Sequence, residues 1–490
     1  MIARREFLKA TLAASGGLAL APLSLSGGAS RAAAPAGARP NIIFYFCDDL
    51  GWGDLGCQGN PVIQTPRLDQ FAAESCRFTD FYATAPVCGP SRAGAMTGRI
   101  QNRFGMEWLC NHTFQPTMPM YHHVPLEEPM LPRLLQQAGY RTGHIGKWHL
   151  SLLEFEGEPF PPEYGFDYYF IVEGVGGKSF YANPTDWYRN GETIPGRLAD
   201  WAETMYVDEA IRFIEEKPGV PFFLNLWTFT PHEPLASPQS YQELYPDRMP
   251  QEKVYFGAVT QMDAQFGRLM DYLQRAGLAE NTIVIFSSDN GPEHYAALDN
   301  RICRGSSGPF RAGKRRLYEG GIRVPGIIRW PGVTTAGSVS HEPASTVDLL
   351  PTLCKAAGAA LPTEITFDGA DLRPLLAGDS AVERPHPLFW RMFDADRPYF
   401  RHSAYPSPPL AMRRGRWKIL SDFEYAKPEL YSLDIDIGEQ WNVAERYPEV
   451  TAELMDELKR IHEDVIQPYP SERYLNPHVV ETVPRVKPSA

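Results

Sequence analysis

Three stretches of this chain are apolar at consecutive positions rather than at alternate ones. Asn41 to Cys47 carries Ile42-Ile43-Phe44-Tyr45-Phe46, Thr282 to Phe286 repeats the pattern, and Pro221 to Phe229 is a third run. A strand apolar on both faces belongs in the middle of a parallel sheet covered by helices. Each run breaks into polar residues at its carboxyl end: Asp48-Asp49, then Ser287-Ser288-Asp289-Asn290-Gly291, then Pro231-His232. Sites of α/β sheets form at those ends. Helical spacing lies between the runs, at Leu68, Phe71, Ala72 and Ser75, and at Leu131, Leu134, Leu135 and Ala138 with Gly139 as a stop. Phe256, Val259, Met262, Phe266, Leu269 and Leu273 make a longer stripe that ends near Gly277. Such stripes face a core. The alternation predicts an α/β sandwich around a large mixed, mostly parallel central sheet.

The pattern changes after about Pro385. Phe389-Trp390-Arg391, Ala411 to Leu420 with a turn at Arg414-Gly415, and Glu429 to Leu433 read as short antiparallel strands, followed by an amphipathic helix from Thr451 to Val465. The expected organisation is a main domain over 39–384, a C-terminal subdomain (antiparallel sheet plus helix) over 385–466, and a proline-rich tail over 467–490. At the other end, Arg4-Arg5-Glu6-Phe7-Leu8-Lys9, a weakly apolar run from Ala10 to Leu25 and Ala32-Ala33-Ala34 read as a twin-arginine signal over 1–34. The run is too short and too rich in Gly, Ser and Ala to span a membrane. The mature protein is therefore expected in the periplasm or secreted, without a membrane span.

Composition narrows the picture further. The chain has 490 residues, 43% of them hydrophobic, enough for a large core. A net charge of −12 argues against a nucleic-acid surface, which needs a basic face to displace counterions. It leaves an anionic small substrate open, because a local basic pocket can sit in an acidic whole. The seven cysteines, Cys47, Cys57, Cys76, Cys88, Cys110, Cys303 and Cys354, form no Cys-x-x-Cys pair, so a zinc knuckle or redox motif is unsupported. Apart from Cys88 they read as small buried hydrophobes.

Candidate chemistry gathers at the strand ends. Asp48, Asp49, Asp289 and Asn290 are oxygen ligands suited to a hard divalent ion such as Ca²⁺ or Mg²⁺. Cys88 opens a short helix, with Pro90 in its first turn and Gly98 at its end. Free N–H groups and the helix dipole favour an anion at such a terminus. Lys147 and His149 are two apart and would share one side of an extended segment. His144 and Arg99 read as structural, and Arg315-Arg316 as a solvated basic run.

Cys88-Gly89-Pro90-Ser91-Arg92 followed by Thr97-Gly98-Arg99 resembles the signature of the type I sulfatases, arylsulfatases and N-acetylgalactosamine-6-sulfatases among them. Gly143-His144-Ile145-Gly146-Lys147-Trp148-His149-Leu150 resembles the family's second signature. The stretch from Gly313-Lys314 to Val324-Pro325 resembles its lysine segment, and His232 in Thr230-Pro231-His232-Glu233-Pro234-Leu235 matches a family histidine. The resemblance runs from about Arg39 to Glu449. It implies an alkaline-phosphatase-like fold and a Cys88 oxidised by a formylglycine-generating enzyme to an aldehyde (3-oxoalanine) whose hydrate is the nucleophile. It also implies one metal ion, Ca²⁺ or alternatively Mg²⁺, at Asp48, Asp49, Asp289, Asn290 and residue 88. Asn290 stands where related alkaline phosphatases have a histidine, which favours a single-metal site.

The same resemblance implies the roles. Arg92 steadies the hydrate, Lys147 and Lys314 hold the sulfate oxygens, His232 protonates the leaving alcohol, and His149 takes the proton whose loss expels sulfate. The expected reaction is hydrolysis of an aryl or carbohydrate sulfate ester to alcohol and inorganic sulfate. Two other readings stand beside it: a phosphoester hydrolase of the alkaline phosphatase superfamily, and an inactive protein that binds sulfated glycan. Trp108, Tyr181, Trp187, Trp201 and Tyr295 are loop aromatics that either stack on sugar rings or pack loops, and His294 and Arg304 are candidate pocket residues.

Overall fold

The computed structural model describes residues 39–107, 123–151, 158–172, 181–185, 187–194, 200–293, 305–392 and 407–466. The expected export signal, the tail, Trp108, His294, Tyr295, Arg304, Cys110 and Cys303 lie outside them. A ten-stranded sheet runs, edge to edge, Ser338–Ser340, Cys76–Phe78, Gly326–Arg329, Thr282–Ser288, Asn41–Cys47, Phe222–Trp227, Arg141–Lys147, Tyr168–Val172, Trp187–Arg189 and Glu192–Ile194. Its middle strands are parallel, and the antiparallel pairings lie toward its edges.

The unbroken apolar run of Asn41–Cys47 is explained by two cores. Ile42, Phe44 and Phe46 pack on one face with Ala93 and Met96 of helix Cys88–Thr97, Leu131 of helix Leu131–Gln137 and Leu353 of helix Leu349–Ala357. Ile43, Tyr45 and Cys47 pack on the other with Leu68 of helix Pro66–Ala73, Phe213 of helix Ala202–Glu216 and Phe266 of helix Pro250–Arg275. All six strand residues are 0% exposed. At about 1.5–3 kcal/mol for each large apolar side chain taken from water, a polar residue at any of them would cost a substantial part of the fold's net stability.

Register then aligns the strand ends. Cys47 lies opposite Ser288, Phe46 opposite Trp227, and Gly146 opposite Trp227. Asp48-Asp49, Asp289-Asn290, Lys147 and the Thr228-to-His232 segment therefore leave the sheet along one line.

A second, four-stranded antiparallel sheet, Leu388–Arg391, Leu410–Arg414, Trp417–Ser421 and Glu429–Ser432, follows near the C-terminus. Helix Pro448–Val465 covers one face through Leu454, Leu458, Ile461 and Val465. The other face packs Trp390, Ala411, Leu420 and Tyr431 against Val87, Leu317, Tyr318 and Ile322. Among the described residues no helix is long and apolar enough to cross a membrane.

Candidate active site

Asp48 is the first residue past its strand, and its N–H donates to the Thr230 carbonyl at 3.2 Å. Asp49 takes a left-handed backbone, φ 65°. Its N–H donates to Asp289 Oδ1 at 3.2 Å, and Asp289 N–H donates to the Cys47 carbonyl at 3.1 Å. Asn290 Nδ2 donates to Asp49 Oδ1 at 2.7 Å. All four residues are buried.

Helix Cys88–Thr97 presents its first residue to this cluster. Every residue of the helix is buried, and Cys88 is 1% exposed. Small residues permit the seat: a Cβ on Gly94 would lie 2.4 Å from Thr84 Oγ1. Gly98 closes the helix with φ 65°, the left-handed conformation that favours glycine there. Ala95 and Met96 are packing positions, with Asn225 Nδ2 donating to Met96 Sδ at 3.2 Å. Ligand atoms of Asp48, Asp49, Cys88 and His232 lie within 4.8 Å of one another. Burial, with Asp48 beside it, pushes the Cys88 thiol up to about 12. The unmodified side chain is thus a thiol and a poor nucleophile at neutral pH.

Three cations answer the carboxylates. Lys147 Nζ lies 2.5 Å from Asp48 Oδ2, and Lys314 Nζ lies 2.5 Å from Asp49 Oδ1. Arg92 forks onto Asp289 Oδ2 from Nε at 2.9 Å and Nη2 at 2.7 Å, with its guanidinium carbon 5.4 Å from the Phe46 ring centroid and 4.9 Å from that of Trp227. Burial alone would raise Asp48, but Lys147, His232, Arg92 and Lys314 outweigh it and hold the carboxyl well below the usual range. Burial opposes the charge on Lys314 as well, and Asp49 overrides it upward. Burial, with Asp48 as a like charge, lifts Asp289 to about 7. Burial, with Lys147 and Arg92 nearby, holds His149 well below its usual value, so its ring is neutral.

Buried polar atoms normally have partners. Several here have none among the described residues: Asp48 Oδ1, Asn290 Oδ1, Arg92 Nη1 and both ring nitrogens of His149. The unpartnered oxygens belong to hard ligands and fit a hard divalent cation. The unpartnered nitrogens are donors, or a base, beside the same carboxylate cluster and fit an oxyanion. Both halves of the donor set expected from the sequence are brought together.

Some expectations change. Lys147 and His149 do not share one extended segment: the strand ends at Lys147, and His149 turns with φ 58°. That turn sets its ring against Gly89, where a Cβ would lie 3.5 Å from His149 Nε2. Arg315 and Arg316 are not a solvated run; Arg315 pairs with Glu293, and Arg316 is 4% exposed. For Tyr181 and Trp187, of the two readings left open, the buried packing position is the one seen. The Tyr181 hydroxyl donates to the Phe229 carbonyl at 3.0 Å and to that of His232, while Trp187 stacks on Phe170. Trp201 is half-buried and bridges to Ala182. His144 and Arg99 are structural: His144 Nε2 lies 3.0 Å from the Lys147 carbonyl, and Arg99 pairs with Glu128.

Sequence reasoning missed Glu203. This fully buried carboxylate accepts from the hydroxyls of Thr228 and Thr230 and steadies the turn that leads to His232. Its only local signal is a glutamate on an otherwise core-facing helix position.

Comparison with known proteins agrees with this geometry. The family model described as Sulfatase matches residues 40–359, and that of the N-sulphoglucosamine sulphohydrolase C-terminal region matches residues 308–464. Arylsulfatase A of Bos taurus is 35% identical, over 90% of this chain and 90% of its own. N-acetylgalactosamine-6-sulfatase of Canis lupus familiaris is 36% identical, over 76% of this chain and 72% of its own. Among solved structures, Ps i-CgsB in complex with k-i-k-neocarrahexaose superposes with a TM-score of 0.75 at 27% identity, covering 88% of this chain and 94% of that one.

Proposed function

The chain belongs to the sulfatase family and hydrolyses sulfate esters, and we propose that its substrate is a sulfated carbohydrate, cleaved with formylglycine at position 88 and one Ca²⁺. The observation that carries this reading is the set of unpartnered buried atoms on the wall that also holds Cys88, Lys147 and Lys314. The ion would be held by Asp48, Asp49, Asp289, Asn290 and residue 88, all oxygen donors once the cysteine is oxidised. Bound there, it supplies Lewis-acid stabilisation of negative charge. Formylglycine at position 88, as its hydrate, would supply the nucleophilic hydroxyl and a second, acidic hydroxyl for the release of sulfate.

The chain's own residues do the rest. Lys147 and Lys314 present ammonium groups to the sulfate oxygens where charge gathers. Arg92 Nη1 offers a donor to the oxygen at residue 88. His232 Nδ1 lies 2.5 Å from the Glu233 carbonyl, which places the ring proton there, and burial holds the ring below its usual value, so Nε2 would pass on to the leaving oxygen a proton drawn from the neighbouring Lys314 ammonium. Neutral His149 accepts the proton of the second hydroxyl. Three carboxylates and three fixed cations nearly cancel, so a divalent ion adds the positive charge that an anionic ester requires.

The carbohydrate assignment draws on the relatives named N-acetylgalactosamine-6-sulfatase and on the carrahexaose-bound neighbour. The twin-arginine stretch at Arg4-Arg5 supports export of the folded enzyme to the periplasm, after a cytoplasmic formylglycine-generating enzyme has acted. Mass spectrometry of the peptide carrying residue 88, with steady-state rates on sulfated sugars and a small aryl sulfate, tests the reading. Aldehyde plus faster turnover of one sulfated sugar is the expected result. An unmodified thiol from a host that matures a control sulfatase would refute the nucleophile, and rates highest on the aryl ester would refute the substrate class.

A further inference from the structure

The segment that carries Lys314 bridges two bodies of the protein. Its first residues bond to the catalytic side: Lys314 N–H donates to the Pro292 carbonyl at 2.9 Å and Arg315 N–H to the Pro86 carbonyl at 2.8 Å. Beyond Arg316, three residues in a row bond to the C-terminal subdomain. Leu317 N–H donates to Ser407 Oγ at 3.0 Å, the Tyr318 hydroxyl to Glu429 Oε2 at 2.9 Å, and Glu319 N–H to Glu439 Oε2 at 2.7 Å. The short helical turn Glu319–Ile322 then returns to the site, where the Gly321 carbonyl accepts the N–H of Gly291 at 3.0 Å, one residue beyond Asn290. Backbone contact there is close: a Cβ on Gly321 would lie 2.0 Å from the Arg316 carbonyl oxygen.

Lys418 stands at the centre of the second attachment. It lies in strand Trp417–Ser421, is 0% exposed, and its Nζ is 2.9 Å from Glu319 Oε1 and 2.8 Å from Glu439 Oε1. The other oxygen of Glu319 accepts from the Tyr82 hydroxyl at 2.7 Å and from Arg323 at 3.0 Å. Asp80 ties Arg323 and Arg413 together at 2.8 and 2.6 Å. Apolar packing would join the two bodies without the desolvation that this buried network costs. What directional ion pairs add is a single register between the partners.

We propose that Lys418 is a positioning residue for Lys314: it fixes Glu319, and through it the Gly313–Ile322 segment, in the register that sets the Lys314 ammonium on the sulfate site. The inference rests on the reading of Lys314 as a sulfate-binding group. It makes the C-terminal sheet part of the catalytic apparatus through Lys418, a side chain that is itself enclosed.

The test uses full-length formylglycine-bearing enzyme, a small aryl sulfate, and inorganic sulfate as competing ligand. Lys418→Met is expected to raise KM and the inhibition constant of inorganic sulfate about tenfold, since sub-ångström placement governs such sites. Formylglycine and metal content per mole should stay the same, and Lys418→Arg should recover most of the loss. In a Lys314→Ala background, Lys418→Met should weaken sulfate binding no further. A lower melting temperature with unchanged sulfate inhibition would overturn the proposal, as would losses that multiply in the double variant. Should Lys418→Met fail to fold, Glu439→Gln decides: it keeps an oxygen for the Glu319 N–H and removes one charge facing Lys418. Sulfate inhibition weakened about threefold is then expected, and unchanged inhibition refutes. Wild-type turnover of sulfate esters is read first and tests the sulfatase reading by itself.

Discussion

Asn290 gives its amide hydrogens to Asp49 Oδ1 at 2.7 Å and to the Gly291 carbonyl at 2.9 Å, and so is obliged to turn its own buried oxygen toward the cluster without a partner. Removing that side chain deletes one ligand and the donor that steadies another. Asn290→Ala should therefore lose about 10–100-fold in divalent-metal affinity while keeping the fold. Metal content after equilibration with graded chelator checks this, and unchanged retention would take Asn290 out of the ligand set.

His149 lies against the first turn of the Cys88 helix with both ring nitrogens unpartnered among the described residues. His149→Ala should lower kcat by about 10²–10⁴. Because the histidine is assigned to release rather than attack, sulfated residue 88 should accumulate and show in the intact mass. A slow variant with no adduct would move His149 to the first step.

Arg92 is held at its tip by Asp289 and packs against the neighbouring rings of Phe46 and Trp227. Lysine cannot fork onto the carboxylate and lacks the planar group that packs on these rings. Arg92→Lys should cost about 3 kcal/mol of stability, read as a lower urea midpoint at unchanged slope, because Asp289 stays buried and poorly paired. A midpoint within error of wild type would show that Asp289 does not depend on the guanidinium.

His462 makes stability depend on acid. Arg391 Nε donates to its Nε2 at 3.0 Å, so Nδ1 carries the proton toward the Tyr425 hydroxyl at 2.6 Å. Burial, with Arg391 beside it, holds the ring down to about 4. An unfolded histidine titrates near 6.5, so the folded state binds the proton less well. The contribution is full above pH 6.5 and is lost as pH falls toward 4. Allowing for partial solvent access, it amounts to about 2 kcal/mol. The urea midpoint should fall more steeply over that window in wild type than in His462→Gln; parallel curves would show that another group carries the acid sensitivity.

The central strands and the ligand line were legible because their signals are local. Asn41–Cys47 advertises two buried faces, and Asp48-Asp49 and Asp289-Asn290 mark where strands stop. The short edge strands, such as Cys76–Phe78 and Glu192–Ile194, carry too few residues for a period to show. His149 departs from the extended reading because a left-handed turn follows the strand, which spacing does not encode. Arg315 and Arg316 resemble a solvated run in sequence but are enclosed by residues far along the chain, with Glu293 as one partner. Tyr181 acts on the His232 carbonyl and Glu203 on the Thr228 and Thr230 hydroxyls from distant elements, a relation visible only once the chain is folded.

Cys88 is 1% exposed, and Val87 before it packs on Leu388 and Trp390 of the C-terminal sheet. A second enzyme cannot reach a side chain sealed this way, so the oxidation proposed for Cys88 belongs to the time before the chain closes. Trp390 is made roughly 300 residues after residue 88, about 15–60 s later at ordinary elongation rates. Maturation and folding thus compete on one clock. A molecule that closes first is committed as a well-folded, inert thiol, and the active fraction of any preparation reports how that race ended rather than how stable the enzyme is.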